Sequence, residues 1–535
     1  MIMHLSLFLV LYSSVAYAYY VNNTVDLGCN KYQGVSAPNG IIKWLGIRYA
    51  APPLGELRFL PPEDPPCNDE VQVVDQHGKW CLGTGAAPGN PDTSEDCLFL
   101  DIYAPANATA SSNLPVFFFI QGGGFNTNSN PNVDGSGLIA ASNYSIIVVT
   151  FNYRVGPYGF ITSDGALKAN NGLRDQRKAM AWVQRYIAAF GGNPDHVVLG
   201  GSSAGAASIS IHLAAYGGRN EGLFHAAAAE SPSFATVLTV EESRYQYKNF
   251  AIRLGCVGPI QDSLACLRNK TADELQAHNA NVPYPGAAGA PVFMWGPVLD
   301  YDLITDLTYN SFAWGRFVKV PLIFGDDTNG GTIFTPRDAA TLQDSDVFLH
   351  TQYPYLGLDH FVEINSLYPN TDTSCPSSGC YWRQVSDVYG DMRFMCPAMF
   401  ISSMAAQYGV PQSWNYRYNV EDPGQIAEGL GVPHTVEVNA IFGPDNTGGG
   451  PDSYRPGGVN AHIVPVIQSY WTSFIQSFDP NTFRLPDTAE WETWNGSSQN
   501  RLLFQTGGNT TMEAVAEDTQ RRCKYLTDIG AVLKQ

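Results

Sequence analysis

Positive charge is scarce in this sequence. Thirty lysines and arginines stand against 49 aspartates and glutamates, a net charge of −19. Such a surface repels phosphate backbones and anionic membranes, so nucleic acid is not an expected partner. Long apolar runs are also missing. Past the first eighteen residues no run reaches the length of a membrane span, and no integral membrane segment is expected. Neither an HExxH sequence nor a Cys/His ligand cluster occurs, so no metal or other cofactor is expected. Internal repeats, low-complexity linkers and charge blocks are absent too, which argues against a second independent domain.

What is present points outside the cell. The N-terminus is a short apolar run closed by Ala16-Tyr17-Ala18, the small-x-small form of a signal-peptidase site. Residues 1–18 are therefore read as a signal peptide and 19–535 as the mature domain. Asn-x-Ser/Thr sequons begin at Asn22, Asn107, Asn143, Asn269, Asn495 and Asn509, and ten cysteines allow five disulfides in an oxidising compartment. A secreted, extracellular protein is expected.

Short continuous apolar runs recur at Val116–Ile120, Ile146–Phe151, Val197–Leu199, Ala226–Ala229 and Pro321–Phe324. Runs of this length suit strands buried on both faces. Between the second and third, Gly172–Ala189 carries Ala179, Met180, Trp182, Val183 and Ile187 among charges, an amphipathic helix closed by Gly191-Gly192. The alternation predicts an α/β fold with a mostly parallel sheet and crossover helices.

Chemistry gathers at the ends of these strands. Gly200-Gly201-Ser202-Ser203-Ala204-Gly205 follows the third strand and precedes the helical run Ala204–Ala215. A Gly-x-Ser-x-Gly match alone is weak, but strand, small-residue turn and helix together make a nucleophile elbow with Ser203 at its centre. After the first strand comes Gln121-Gly122-Gly123-Gly124-Phe125, where backbone N–H groups can face a substrate with no Cβ in the way. With the N–H of Ala204, Gly123 and Gly124 would form an oxyanion hole. The base should be a histidine late in the chain. His350, His360, His434 and His462 qualify, and His434 sits in the glycine- and proline-bearing loop Gly431-Val432-Pro433-His434.

These residues resemble the type-B carboxylesterase and cholinesterase-like family of α/β-hydrolases over nearly the whole mature chain. The resemblance is carried by Gly46–Phe59, Ser94–Leu100, Asn152–Gly156, Asn171–Gln176 and Phe190–Pro194. It implies a single α/β-hydrolase domain, and it places His434, with Glu437 three residues on, in the family's catalytic histidine segment. It also implies pairing of Cys81 with Cys97, Cys256 with Cys266 and Cys396 with Cys523. Cys29 with Cys67 and Cys375 with Cys380 would then remain.

The resemblance breaks at two positions. The residue before the nucleophile, commonly Glu in the family, is Ser202. The family's triad acid falls in the segment Gly325-Asp326-Asp327-Thr328-Asn329-Gly330-Gly331-Thr332, where the acid position is Gly330. Asp326 or Asp327 could reach from the same loop, and Asn329 could orient the imidazole without charge. Glu230, ending the strand after the nucleophile strand, is the favoured acid, because a carboxylate there lies between Ser203 and His434 in chain order.

In family lipases and cholinesterases, the loop closed by the first of these disulfides carries a lid or a choline-binding aromatic. Here residues 82–96 contain no aromatic and little apolar surface, so neither an apolar lid nor a cation–π face is expected. The sequence therefore reads as a secreted serine esterase acting on small to medium esters through an acyl-enzyme. The alternatives are a lipase acting on long-chain esters, and a catalytically inactive binding or adhesion protein on the same scaffold.

Overall fold

The computed structural model describes residues 23–163, 165–370, 374–410 and 412–535. The signal-peptide reading and the Asn22 sequon lie outside them. The described residues build an eleven-stranded sheet. In chain order its strands are β1 (Val35–Ala37), β2 (Ile41–Arg48), β3 (Phe99–Pro105), β4 (Leu114–Ile120), β5 (Ile147–Phe151), β6 (Gly192–Ser202), β7 (Ala226–Glu230), β8 (Leu322–Asp327), β9 (Ser413–Asn419), β10 (Asn500–Gln505) and β11 (Asn509–Ala514). Their order across the sheet is β11-β10-β9-β8-β7-β6-β4-β5-β3-β2-β1. From β10 to β5 all neighbours run parallel, and antiparallel strands close both edges.

The continuous apolar strands are central because both faces are covered. Along β4 and β6, Val116, Phe118, Ile120, Val197 and Leu199 enter one core, and Phe117, Phe119 and Val198 enter the other. The first core takes helices α1 (Asn171–Tyr186) and α2 (Ala204–Gly218), and the second takes α3 (Ile463–Ser477). This is the α/β-hydrolase architecture. The helix read over 172–189 is α1 continued by a 3₁₀ turn, Ile187–Phe190.

Buried polar networks explain why several sequence blocks are so specific. Arg154 grips Asp175 through Nε and Nη2 at 2.8 and 2.7 Å, fully inside the fold. Gln176 donates to Ser208 Oγ at 3.0 Å and accepts from His212 Nε2 at 2.7 Å, which ties α1 to α2. Such groups tolerate burial only while every partner stays in place. The five disulfides pair Cys29–Cys67, Cys81–Cys97, Cys256–Cys266, Cys375–Cys380 and Cys396–Cys523, as expected.

Candidate active site

The parallel strands β4, β6, β7 and β8 end on one edge of the sheet, where the crossover turns are free to carry chemistry. Ser203 stands between β6 and α2 with φ 57° and ψ −119°, a conformation costly for a residue with a Cβ. The turn is possible because its flanks are glycine. A Cβ on Gly205 would lie 1.9 Å from the Ile120 carbonyl oxygen, and one on Gly201 would lie 2.8 Å from Gly205. The Ser203 N–H donates to the Glu230 carbonyl at 2.9 Å, and its carbonyl accepts from the Ala207 and Ser233 N–H groups.

The glycine segment after β4 closes on this serine. A Cβ on Gly122 would sit 2.8 Å from the Ser203 Cβ. Gly123 and Gly124 follow with φ of 112° and 59°, the left-handed region where glycine costs little. Among the described residues the N–H groups of Gly123, Gly124 and Ala204 have no hydrogen-bond acceptor, as donors reserved for an oxyanion require.

His434 follows Pro433 in a loop held to β8. The Thr435 N–H donates to Asp327 Oδ2 at 2.6 Å, and the Val432 N–H donates to Asn329 Oδ1 at 3.0 Å. Asp327 and Asn329 thus fasten the backbone on either side of His434, and neither side chain bonds its ring. Asp326 points instead toward Arg501, 3.7 Å away.

Glu230 also departs from its expected role. It is fully buried, with one oxygen accepting from Trp471 Nε1 at 2.8 Å and the other from the Gly201 N–H at 3.2 Å. Both ring nitrogens of His434 lack any protein partner, so neither the pairing of Glu230 with His434 nor a hydrogen bond between Ser203 Oγ and His434 is made. Burial drives the Glu230 carboxyl well up, and its partners are an indole and an amide of the scaffold. Glu230→Gln is expected to cost less than about tenfold in kcat/KM, where loss of a triad acid costs about 10⁴. Hydrolysis of p-nitrophenyl butyrate by the variant checks it.

Aromatic rings occupy the place beside His434 where the acid would lie. A Cβ on Gly330 would approach Phe394 Cδ2 at 3.1 Å. The Phe394 ring lies 4.0 Å from the imidazole between centroids, tilted 30°, with Phe334 edge-on at 5.3 Å. No sequence signal marked Phe394, which lies in the one-turn π-helix Asp391–Met395. Beneath the loop, Asp327 and Glu437 form a buried acidic pair. Burial raises both carboxyls, and Asp327, facing Glu437, is raised further by its neighbour's charge.

Burial, reinforced by the nearby Arg393 charge, pushes the His434 imidazole down to about 3. Two consequences follow. The ring stays neutral and able to accept a proton in mild acid, so the acid limb of kcat/KM should fall below pH 6.5, toward about 3. An unfolded chain binds this proton near pH 6.5, so the His434 contribution to stability is whole above that pH. It is lost as pH falls from about 6.5 to about 3. A pH series of initial rates beside one of denaturant midpoints reads both.

A strand–serine–helix elbow facing free glycine amides thus stands at the strand ends of an α/β-hydrolase fold. The chain belongs to the carboxylesterase family, whose model matches residues 23–525. Secreted lipase 4 of Gibberella zeae is 29% identical over 520 residues, covering 92% of this chain and 89% of that protein. Cholinesterase of Mus musculus is 30% identical over 511 residues, covering 89% and 82%. The crystal structure of Aspergillus niger EstA matches with a TM-score of 0.92 at 42% identity, covering 96% of this chain and 99% of that one. The protein is a carboxylic ester hydrolase.

Proposed function

We propose that the protein is a secreted esterase cleaving small to medium carboxylic esters with Ser203 as nucleophile and His434 as its base. The observation that carries this reading is the strained Ser203 turn pressed against the glycine segment, with three N–H groups left without acceptors. Ser203 Oγ attacks the ester carbonyl as His434 takes its proton, and the amides of Gly123, Gly124 and Ala204 hold the oxyanion. The imidazolium returns the proton to the leaving alcohol. Water then attacks the acyl-enzyme by the same route and restores Ser203.

What differs from a full triad is the support given to the imidazolium. No carboxylate bonds the ring, and the Phe394 face offers a cation–π contact of about 0.5–2 kcal/mol in its place. That is a fraction of the roughly 5 kcal/mol that four orders of magnitude represent. Turnover is therefore expected to be slow, limited by the proton transfers.

The preference for smaller esters rests on the loop 82–96. Gln276 Nε2 donates to the carbonyls of Gly83 and Ala86, Gly85 N–H donates to the Asn279 carbonyl, and Gly89 N–H donates to Asp273. Arg58 clamps Glu95 through both carboxylate oxygens. A loop fixed at so many points and bare of aromatics supports no apolar lid. Rates on p-nitrophenyl esters of increasing acyl length test this. A maximum at four carbons or fewer is expected, and a rise through twelve carbons at an oil interface would overturn it in favour of a lipase.

A further inference from the structure

Next to Phe394 lies a buried cation that the reaction above does not use. Arg393 is 5% exposed, and its Nη2 has no hydrogen-bond partner. Its Nε donates to Ser233 Oγ at 2.8 Å, and the hydroxyls of Tyr353 and Tyr389 lie within reach of the guanidinium. Around it stand the rings of Phe293 at 5.2 Å and Tyr389 at 5.8 Å, with Tyr353 and Tyr284 within its field. The three tyrosines are neutral, since burial raises each of them. Among the described residues no carboxylate forms an ion pair with Arg393, although the other buried arginines, Arg58, Arg154 and Arg501, each have one. A buried guanidinium without an anion costs folding free energy, and such a cost persists where a ligand repays it.

Two contacts and the field of its charge tie this cation to the reacting centre. The Ser233 N–H donates to the Ser203 carbonyl at 3.1 Å, so one residue joins Arg393 to the nucleophile. The Arg393 charge is felt by His434. The half-buried ring of Phe293 spans the remaining side: it faces the guanidinium, and it packs so closely on Gly124 that a Cβ there would lie 2.3 Å from its Cδ1. Gly124, the Phe293 ring and the Arg393 guanidinium are thus in contact in that order beside Ser203. The neutral residues Ser202 and Gly330 leave nothing at those two positions to repel an anion.

We propose that Arg393 is a specificity-determining residue that pairs with a carboxylate on the acyl part of the substrate. The preferred esters are then half-esters of short dicarboxylic acids, with Phe293 turned aside when they bind. This rests on the Ser203–His434 reading of the site. The protein's net charge of −19 repels such substrates at long range, so any preference for them has to come from a local cation.

The test compares 4-nitrophenyl hydrogen glutarate with 4-nitrophenyl butyrate for the wild type, Arg393→Met and Arg393→Lys, with the apparent Tm of each measured with and without glutarate. A charge-assisted bond predicts that the glutarate-to-butyrate ratio of kcat/KM falls about tenfold to a hundredfold in Arg393→Met and is partly kept in Arg393→Lys. Glutarate should raise the Tm of the wild type and of Ser203→Ala, but not of Arg393→Met. Arg393→Met alone should be the more thermostable protein, since an unpaired charge has gone. An unchanged ratio, no glutarate shift in the wild type, or an Arg393→Met protein that is less stable or fails to fold would each overturn the proposal and make Arg393 a scaffold residue. If no ester is turned over but glutarate still stabilises the protein through Arg393, the reading of Ser203 and His434 fails while the anion site stands.

Discussion

Ser203→Ala is expected to lower kcat on p-nitrophenyl esters by about two to three orders of magnitude, what is left of a full triad's roughly 10⁶ once the acid's roughly 10⁴ is missing, and His434→Ala by a similar factor. The double variant should be no worse than either alone, because nucleophile and base act as one unit and removing either leaves only oxyanion binding. The geometry makes Ser203→Ala a clean experiment. Ser203 holds its turn through its own N–H and carbonyl, bonded to Glu230, Ala207 and Ser233, and none of those bonds uses the side chain. The melting temperature should therefore stay near that of the wild type, and a fluorophosphonate label found on Ser203 of the wild type should be absent from the variant. Turnover retained by Ser203→Ala, or a label on another serine, would sink the assignment.

Much of this site could be read before the fold was known, for a definable reason. A strand buried on both faces has to be apolar at every position, so β4, β5 and β7 stand out from their surroundings, and the turns after them can be inspected for glycine, serine and charge. The strand between β8 and β10 carries no such mark. Residues Ser413–Asn419 read Ser-Trp-Asn-Tyr-Arg-Tyr-Asn, and this segment is a central parallel strand only because Trp414, Tyr416 and Tyr418 pack against α3 and Phe504. Asp327 illustrates a different limit. Its place three residues before the acid position makes it a candidate, yet the pleat of β8 aims it at the backbone of Thr435 and the hydroxyl of Ser231. Glu230 finds its partner 241 residues away, and nothing in its own strand foretells that Trp471 will present an indole N–H to it. Phe394 was invisible for the same reason: the ring that replaces the acid arrives from a separate helix, by tertiary packing alone.

That substitution of a ring for a carboxylate can be reversed. The double variant Gly330→Glu/Phe394→Val is expected to raise kcat at least tenfold over the wild type on p-nitrophenyl butyrate, within the roughly 10⁴ that a triad acid can supply. The backbone permits it, because Gly330 does not use the left-handed region and its Cβ vector already points toward the Phe394 ring beside His434. Gly330→Glu alone should do worse than the pair. At 3.1 Å the ring leaves too little room for a carboxylate to turn in, and an unpaired carboxylate would be buried among Phe334, Phe394 and Tyr389. Phe394→Val alone should lower kcat, since the imidazole loses its stacking partner and gains no acid. The two changes are thus expected to couple strongly, which a double-mutant cycle measures directly. A glutamate beside the ring also favours its protonated form, so the acid limb of kcat/KM should move upward from about pH 3 in the double variant. A faster enzyme with its limb unmoved would mean that the gain came from the cleared space, whereas a raised limb with no gain in rate would mean that imidazolium stability does not limit this esterase.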